Sequence, residues 1–236
     1  MKVKKFQPTL SLKPTQFAIG LLEVEYKVLR LQRMSKKRRR KAIARTKIPV
    51  VISPWGELCV TDHHHFLFAC WHAGIQKVRI DVVKDLSQSK LSYTKFWEKL
   101  AASKQAYLFD QFGHGPREPL YLPMDVRGMS DDPYRSLAWM VRKEGGFENS
   151  TESFCEFRWA DFFRKHRLLE KHGRKGFHPA LRRAIRLARS HAAADLPGYV
   201  GTKKHVVEVE TDALVKSKYV APHQKKGALA SVPREA

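Results

Sequence analysis

Four consecutive residues, Asp62-His63-His64-His65, carry the densest chemistry in this 236-residue sequence. They follow a short apolar run and open a helical one, so they lie at a strand-to-helix junction. Free backbone N–H groups and the positive helix end attract anions such as phosphate at such a junction. A histidine there can act as general acid or base on a phosphoester, with Asp62 orienting it and His63 helping to hold the phosphate. Adjacent residues at a helix start point in different directions, so at most two of the three imidazoles can address one ligand. The simpler alternative is that Asp62 only caps the helix and one histidine packs inside. No HxxxH or HExxH pair is present, so the cluster has no specific metal signature.

A second group, Asp131-Asp132-Pro133-Tyr134-Arg135, also opens a helix. Two carboxylates there could hold Mg²⁺ or Mn²⁺ or activate water; Asp132 could equally be a plain N-cap. Arg135 could clamp a phosphate or pair with a carboxylate. Gln16, Glu23 and Lys27 share the N-terminal region, where Gln16 and Lys27 are candidates for a nucleotide phosphate. Glu156, Trp159, Asp161 and Arg164 sit on a helix with a wide aromatic face, which reads mainly as core.

The elements that must position these groups are legible in outline. Ile48-Pro49-Val50-Val51-Ile52, the turn Ser53-Pro54-Trp55-Gly56 and Glu57 to Thr61 predict a hairpin. A helix capped by Asp62 runs from His63 to Ala73 and is closed by Gly74; Val78 to Val83 then alternates as a strand. Upstream, one helix is expected from Leu21 onward, continuous with Lys36-Lys37-Arg38-Arg39-Arg40-Lys41. Downstream, helices are expected at Ser92 to Ser103, after Asp132-Pro133, from a capping box Ser153–Glu156, and from Pro179 to His191. The expected organisation is an α+β core over residues 1–125, a helical part over 126–200 and a polar basic tail over 201–236, with a short alternating stretch at His205 to Val209.

The charge balance is extreme: 45 Lys+Arg against 23 Asp+Glu, net +22. It is also local. Residues 30–47 hold ten basic residues and no acid, and residues 164–189 hold ten and one acid, Glu170; residues 48–163 are close to neutral. A polyanionic partner is the expectation, with DNA contacts from Lys36, Lys37, Arg38, Arg39, Arg40 and Lys41 and from Arg182, Arg183 and Arg186. No apolar run is long enough to span a membrane and no secretory signal is evident, so no membrane partner is expected. The three cysteines form no CxxC, which fits a reducing cytoplasm.

These motifs in this order resemble the ParB/sulfiredoxin superfamily, and most of all the branch called ParB-like nucleases. The residues that carry the likeness are Leu12-x-Pro14-Thr15-Gln16, Gly20, Glu23-Val24, Lys27, Ile48-Pro49-Val50-Val51 and Asp62-His63-His64-His65. Phe96-Trp97, Asp131 to Trp139, Glu156 to Phe162 and Leu196-Pro197-Gly198-Tyr199 extend it over roughly residues 10–200. The resemblance implies a small mixed sheet with helices, followed by a helical half, and a DNA- or nucleotide-associated function. The superfamily motif usually reads D-G-H-H-R; here His63 stands at the glycine position and Phe66 at the arginine position. His64 stands where sulfiredoxins have their catalytic cysteine, so sulfinic-acid repair is not implied. The expectation is metal-dependent phosphodiester hydrolysis, with Asp62, His64, His65 and Asp131 catalytic, Asp131 and Asp132 on the metal, and Lys27 and Arg135 on phosphate. The alternatives are a non-catalytic, partition-type DNA- or nucleotide-binding module and an NTPase or phosphotransferase using ATP or CTP.

Overall fold

The computed structural model describes residues 3–169 and 173–202. Its framework is a mixed five-stranded sheet in the order β1-β6-β4-β5-β2, formed by β1 (Phe6–Pro8), β2 (Leu12–Pro14), β4 (Ile48–Ile52), β5 (Leu58–Val60) and β6 (Lys77–Asp85). β4 lies at the centre, parallel to β6 and antiparallel to β5. Its apolar run suits that place: Ile48, Val50 and Val51 are fully buried, as a strand covered on both faces requires. The β4–β5 hairpin turns where the sequence predicts. The Gly56 N–H donates to the Ser53 carbonyl at 3.0 Å, and Gly56 has φ 88°, which favours glycine.

One face of the sheet is covered by α1 (Leu21–Arg33) and α3 (His64–His72), through Val24, Val28, Leu31, Leu67, Phe68 and Cys70. The other is covered by α4 (Tyr93–Ala102), through Phe96, Trp97 and Leu100. A second, two-stranded parallel ladder joins β3 (Ala18–Ile19) to β7 (Ser130–Asp131) and brings two distant segments side by side. Both strands lead directly into helices, α1 and α5 (Pro133–Lys143). With α6 (Cys155–Lys165) and α7 (Gly173–Ala188), α5 builds the helical half around Leu137, Trp139, Trp159 and Phe163. Leu22 of α1 belongs to that core as well, so α1 is shared between the sheet and the helical half.

Four local expectations are corrected. The first helix does not continue into the basic run: α1 ends at Arg33 and α2 (Lys36–Arg45) starts anew behind Ser35, whose Oγ accepts the Arg38 N–H at 3.4 Å. Asp62 does not cap α3. His63 takes that position in the left-handed region, at φ 66° and ψ 23°. No capping box forms at Ser153, because Phe154 is the N-cap and Glu156 is drawn to arginines of α5. α7 begins at Gly173 and includes Pro179 rather than starting there. The alternating stretch His205 to Val209 lies outside the described residues.

Candidate functional site

The first turn of α1 organises the site. An α-helix leaves its first N–H groups without intrahelical partners, and Gly20, as N-cap, has no side chain to serve them. Three other segments do so. His65 Nε2 accepts the Gly20 N–H at 3.0 Å, Asp131 Oδ1 accepts the Leu21 N–H at 3.0 Å, and Ser136 Oγ accepts the Leu22 N–H at 3.2 Å. Glycine is required at position 20 because a Cβ would stand 2.9 Å from the Ser136 nitrogen. The two sequence motifs therefore converge on one helix end.

His64 is engaged likewise. Its Nε2 accepts the Thr15 N–H at 3.2 Å, and the ring also bonds the Val60 backbone. Both rings are buried. Burial, acting against the charged form, lowers His64 to about 4 and His65 to about 3. At neutral pH both are uncharged acceptors that tie the segment from Thr15 to Gly20 onto α3.

Around His65 lies a buried charge network. Glu23 Oε2 is 3.7 Å from His65 Nε2 and 3.0 Å from Arg135 Nη2, and Glu23 Oε1 is 3.2 Å from Lys27 Nζ. Arg135 also reaches Glu156 at 3.4 Å, and Glu156 forms an ion pair with Arg142 at 2.9 Å. Burial opposes the charge on Glu23, but His65 once protonated in acid, together with Arg135 and Lys27, outweighs it and holds the carboxyl well below its usual range. For Arg135 burial is again the largest effect, and Glu156 and Glu23 overcome it, so its affinity for the proton rises. A second cluster adjoins the first: Arg164 Nη2 meets Asp132 Oδ2 at 2.7 Å, Arg164 also pairs with Asp161, and Tyr107 donates to Asp161 Oδ2 at 3.3 Å.

The candidate residues therefore divide by environment. Asp62 and His63 face solvent, and the Asp62 carboxylate accepts the His63 N–H at 2.5 Å, so its hydrogen bond goes to neither buried histidine. Gln16 is buried and donates to the Ala18 carbonyl at 2.7 Å. Lys27 and Arg135 are already paired with carboxylates, which an incoming phosphate would have to displace. Asp132 Oδ1 accepts the Tyr134 and Arg135 N–H groups, and its Oδ2 is held by Arg164. With a guanidinium beside Asp132 and Asp131 spent on α1, the residues present do not fit a divalent ion. Among the described residues no group of three or more His, Cys, Asp or Glu side chains could hold one. Lys36 to Lys41 make no ion pair among the described residues, and all but the half-buried Arg39 are exposed. Arg182 and Arg186 are also exposed, whereas Arg183 is half-buried and donates to the Leu168 carbonyl at 3.3 Å. Thr15, Ser136 and Arg142 complete the network but carry no local signal in the sequence, since their partners come from other helices and strands.

A family model of ParB-like nucleases matches residues 8–165, the span that holds every element of this site. The chain belongs to the ParB-like nuclease family. The crystal structure of protein Atu1540 from Agrobacterium tumefaciens superposes with a TM-score of 0.74 at 32% identity, over 84% of this chain and 96% of that one. No curated protein matches the sequence. Within this ParB-like nuclease fold, the positive φ of His63 gives a reason for the glycine usual at that place in the superfamily motif. Phe66, at the arginine position, packs against the sheet core instead of offering a charge.

Proposed function

We propose that this ParB-like protein docks the phosphate backbone of nucleic acid, DNA in the first instance, through α2. One observation carries the reading. Six consecutive basic residues, Lys36 to Lys41, occupy the start of a helix with no acid in its first turn. Cations at a helix N-terminus oppose the helix dipole. They also repel one another, so this placement costs stability, and a bound polyanion relieves it. Near neutrality across residues 48–163 supports docking by a discrete surface rather than diffuse attraction. The triple variant Lys37→Gln/Arg40→Gln/Lys41→Gln tests it. The affinity for duplex DNA should fall, and the slope of log K against log salt should lose about 0.9 per phosphate contact removed. An unchanged slope contradicts the reading.

The family favours a second reading, hydrolysis of a phosphodiester. Burial of His64 and His65 argues for the solvent-facing pair Asp62–His63 as the group that moves a proton, its Nδ1 and Oδ2 lying 3.7 Å apart. Plasmid nicking by the wild type that disappears in His63→Ala supports this reading; equal nicking by both contradicts it.

A further inference from the structure

The segment after α4 leaves large apolar side chains in the open: Phe112 is 60% exposed, Leu120 74%, Tyr121 73% and Met124 73%. Elsewhere the chain buries Trp97, Trp139 and Trp159 almost completely. Tyr121 and Met124 line an open cavity of about 490 Å³, a size that accepts a small molecule or one aromatic group. Phe17 makes one wall and is fixed there, because its carbonyl accepts the Ser130 N–H at 2.9 Å. The wall at Gly128 is closed tightly: a Cβ there would lie 2.8 Å from Pro123 Cβ.

The polar lining narrows the ligand. Asp125 and Arg127 are spent on each other, at 3.0 and 2.8 Å, so the cavity offers no free charge. Gln111 and Ser130 also line it, and their side chains have no hydrogen-bond partner among the described residues. Aromatic and thioether faces beside an unengaged amide and hydroxyl suit a neutral, planar ring with hydrogen-bonding groups on its edge. An aliphatic side chain from a protein partner would cover Gln111 and Ser130 without pairing them, which is unfavourable.

We propose that this cavity receives a nucleobase, either from an unpaired stretch of nucleic acid or from a free nucleoside. The inference goes beyond backbone docking by α2 and does not require it. Binding of the full chain is to be measured against a short mixed-sequence single strand, an abasic strand of the same length, and the free deoxynucleosides. The base-bearing strand should bind about tenfold more tightly than the abasic one, the stacking increment expected for one base. Tyr121→Ala and Gln111→Ala should erase that preference while leaving abasic affinity and the melting temperature unchanged. Saturable nucleoside binding lost in the same variants also supports the proposal and identifies a small-molecule source. Equal affinity for base-bearing and abasic strands, together with no nucleoside binding at millimolar concentration, overturns it; that result is expected if a protein side chain fills the cavity. If no strand binds but nucleosides do, the α2 reading fails and this one stands.

Discussion

His65 and Asp131 accept hydrogen bonds from consecutive backbone amides, those of Gly20 and Leu21, each at 3.0 Å. A histidine of the α3 motif and a carboxylate of the α5 motif thus serve one helix end. Their first task is to hold α1, α3 and α5 together. Removing either leaves an N–H group unsatisfied, but the two losses differ in depth. His65→Ala takes a ring out of the core and orphans a buried donor, so it should destabilise the protein by about 2–4 kcal/mol. Asp131→Ala removes a half-buried cap and should cost about 1 kcal/mol. Urea denaturation of both variants checks the ranking; a larger loss for Asp131→Ala contradicts it.

Gly20→Ala introduces a methyl group 2.9 Å from the Ser136 nitrogen. The added side chain should destabilise by about 1–3 kcal/mol, because α1 must shift from α5 to admit it. Differential scanning calorimetry reads this as a lowered melting temperature.

His63 occupies left-handed backbone at φ 66°. His63→Gly relieves that strain at some cost in unfolded-chain entropy, and a net gain of about 0.5–1 kcal/mol is expected. A lower urea midpoint for the variant would show that the His63 side chain holds the junction.

Acid should weaken the fold through the two buried histidines. Their folded values, about 4 for His64 and about 3 for His65, lie below the ordinary histidine value of 6.5. The unfolded chain therefore binds protons first as pH falls, and stability is lost from about pH 6.5 down toward pH 4, by up to about 1.4 kcal/mol per pH unit per histidine. Asp132 and Asp161, raised by burial, act in the opposite sense, since the folded protein takes up their protons first. Urea midpoints between about pH 7.5 and pH 4.5 should decline, and more shallowly in His64→Gln.

What was legible in the sequence depended on how local its cause is. The hairpin at β4–β5 and the cap at Asp132-Pro133 follow from turn residues and capping within a few positions and form where expected, and α3 forms on its apolar run although His63, not Asp62, stands at its N-cap. The helix break at Ser35 was not legible, because a run of lysines and arginines has no apolar period to interrupt. Ser153 and Glu156 spell a capping box, yet Glu156 joins Arg135 and Arg142, a contact between helices that outweighs the local bond. The Glu23–Arg135 pair joins residues 112 apart in the chain, and no local pattern announces it. For the same reason the histidines could be read as catalytic: only the packed structure reveals that backbone amides occupy both Nε2 atoms.

The most direct test of the central claim, that the buried motif histidines are neutral anchors, is the NMR titration of their imidazoles. The ¹⁵N and ¹³Cε1 shifts of His64 and His65, followed from about pH 8 to pH 5, should stay those of the neutral ring, with Nε2 as acceptor. Protonation of either ring with a midpoint near the ordinary histidine value of about 6.5 would contradict it and return that residue to the catalytic reading.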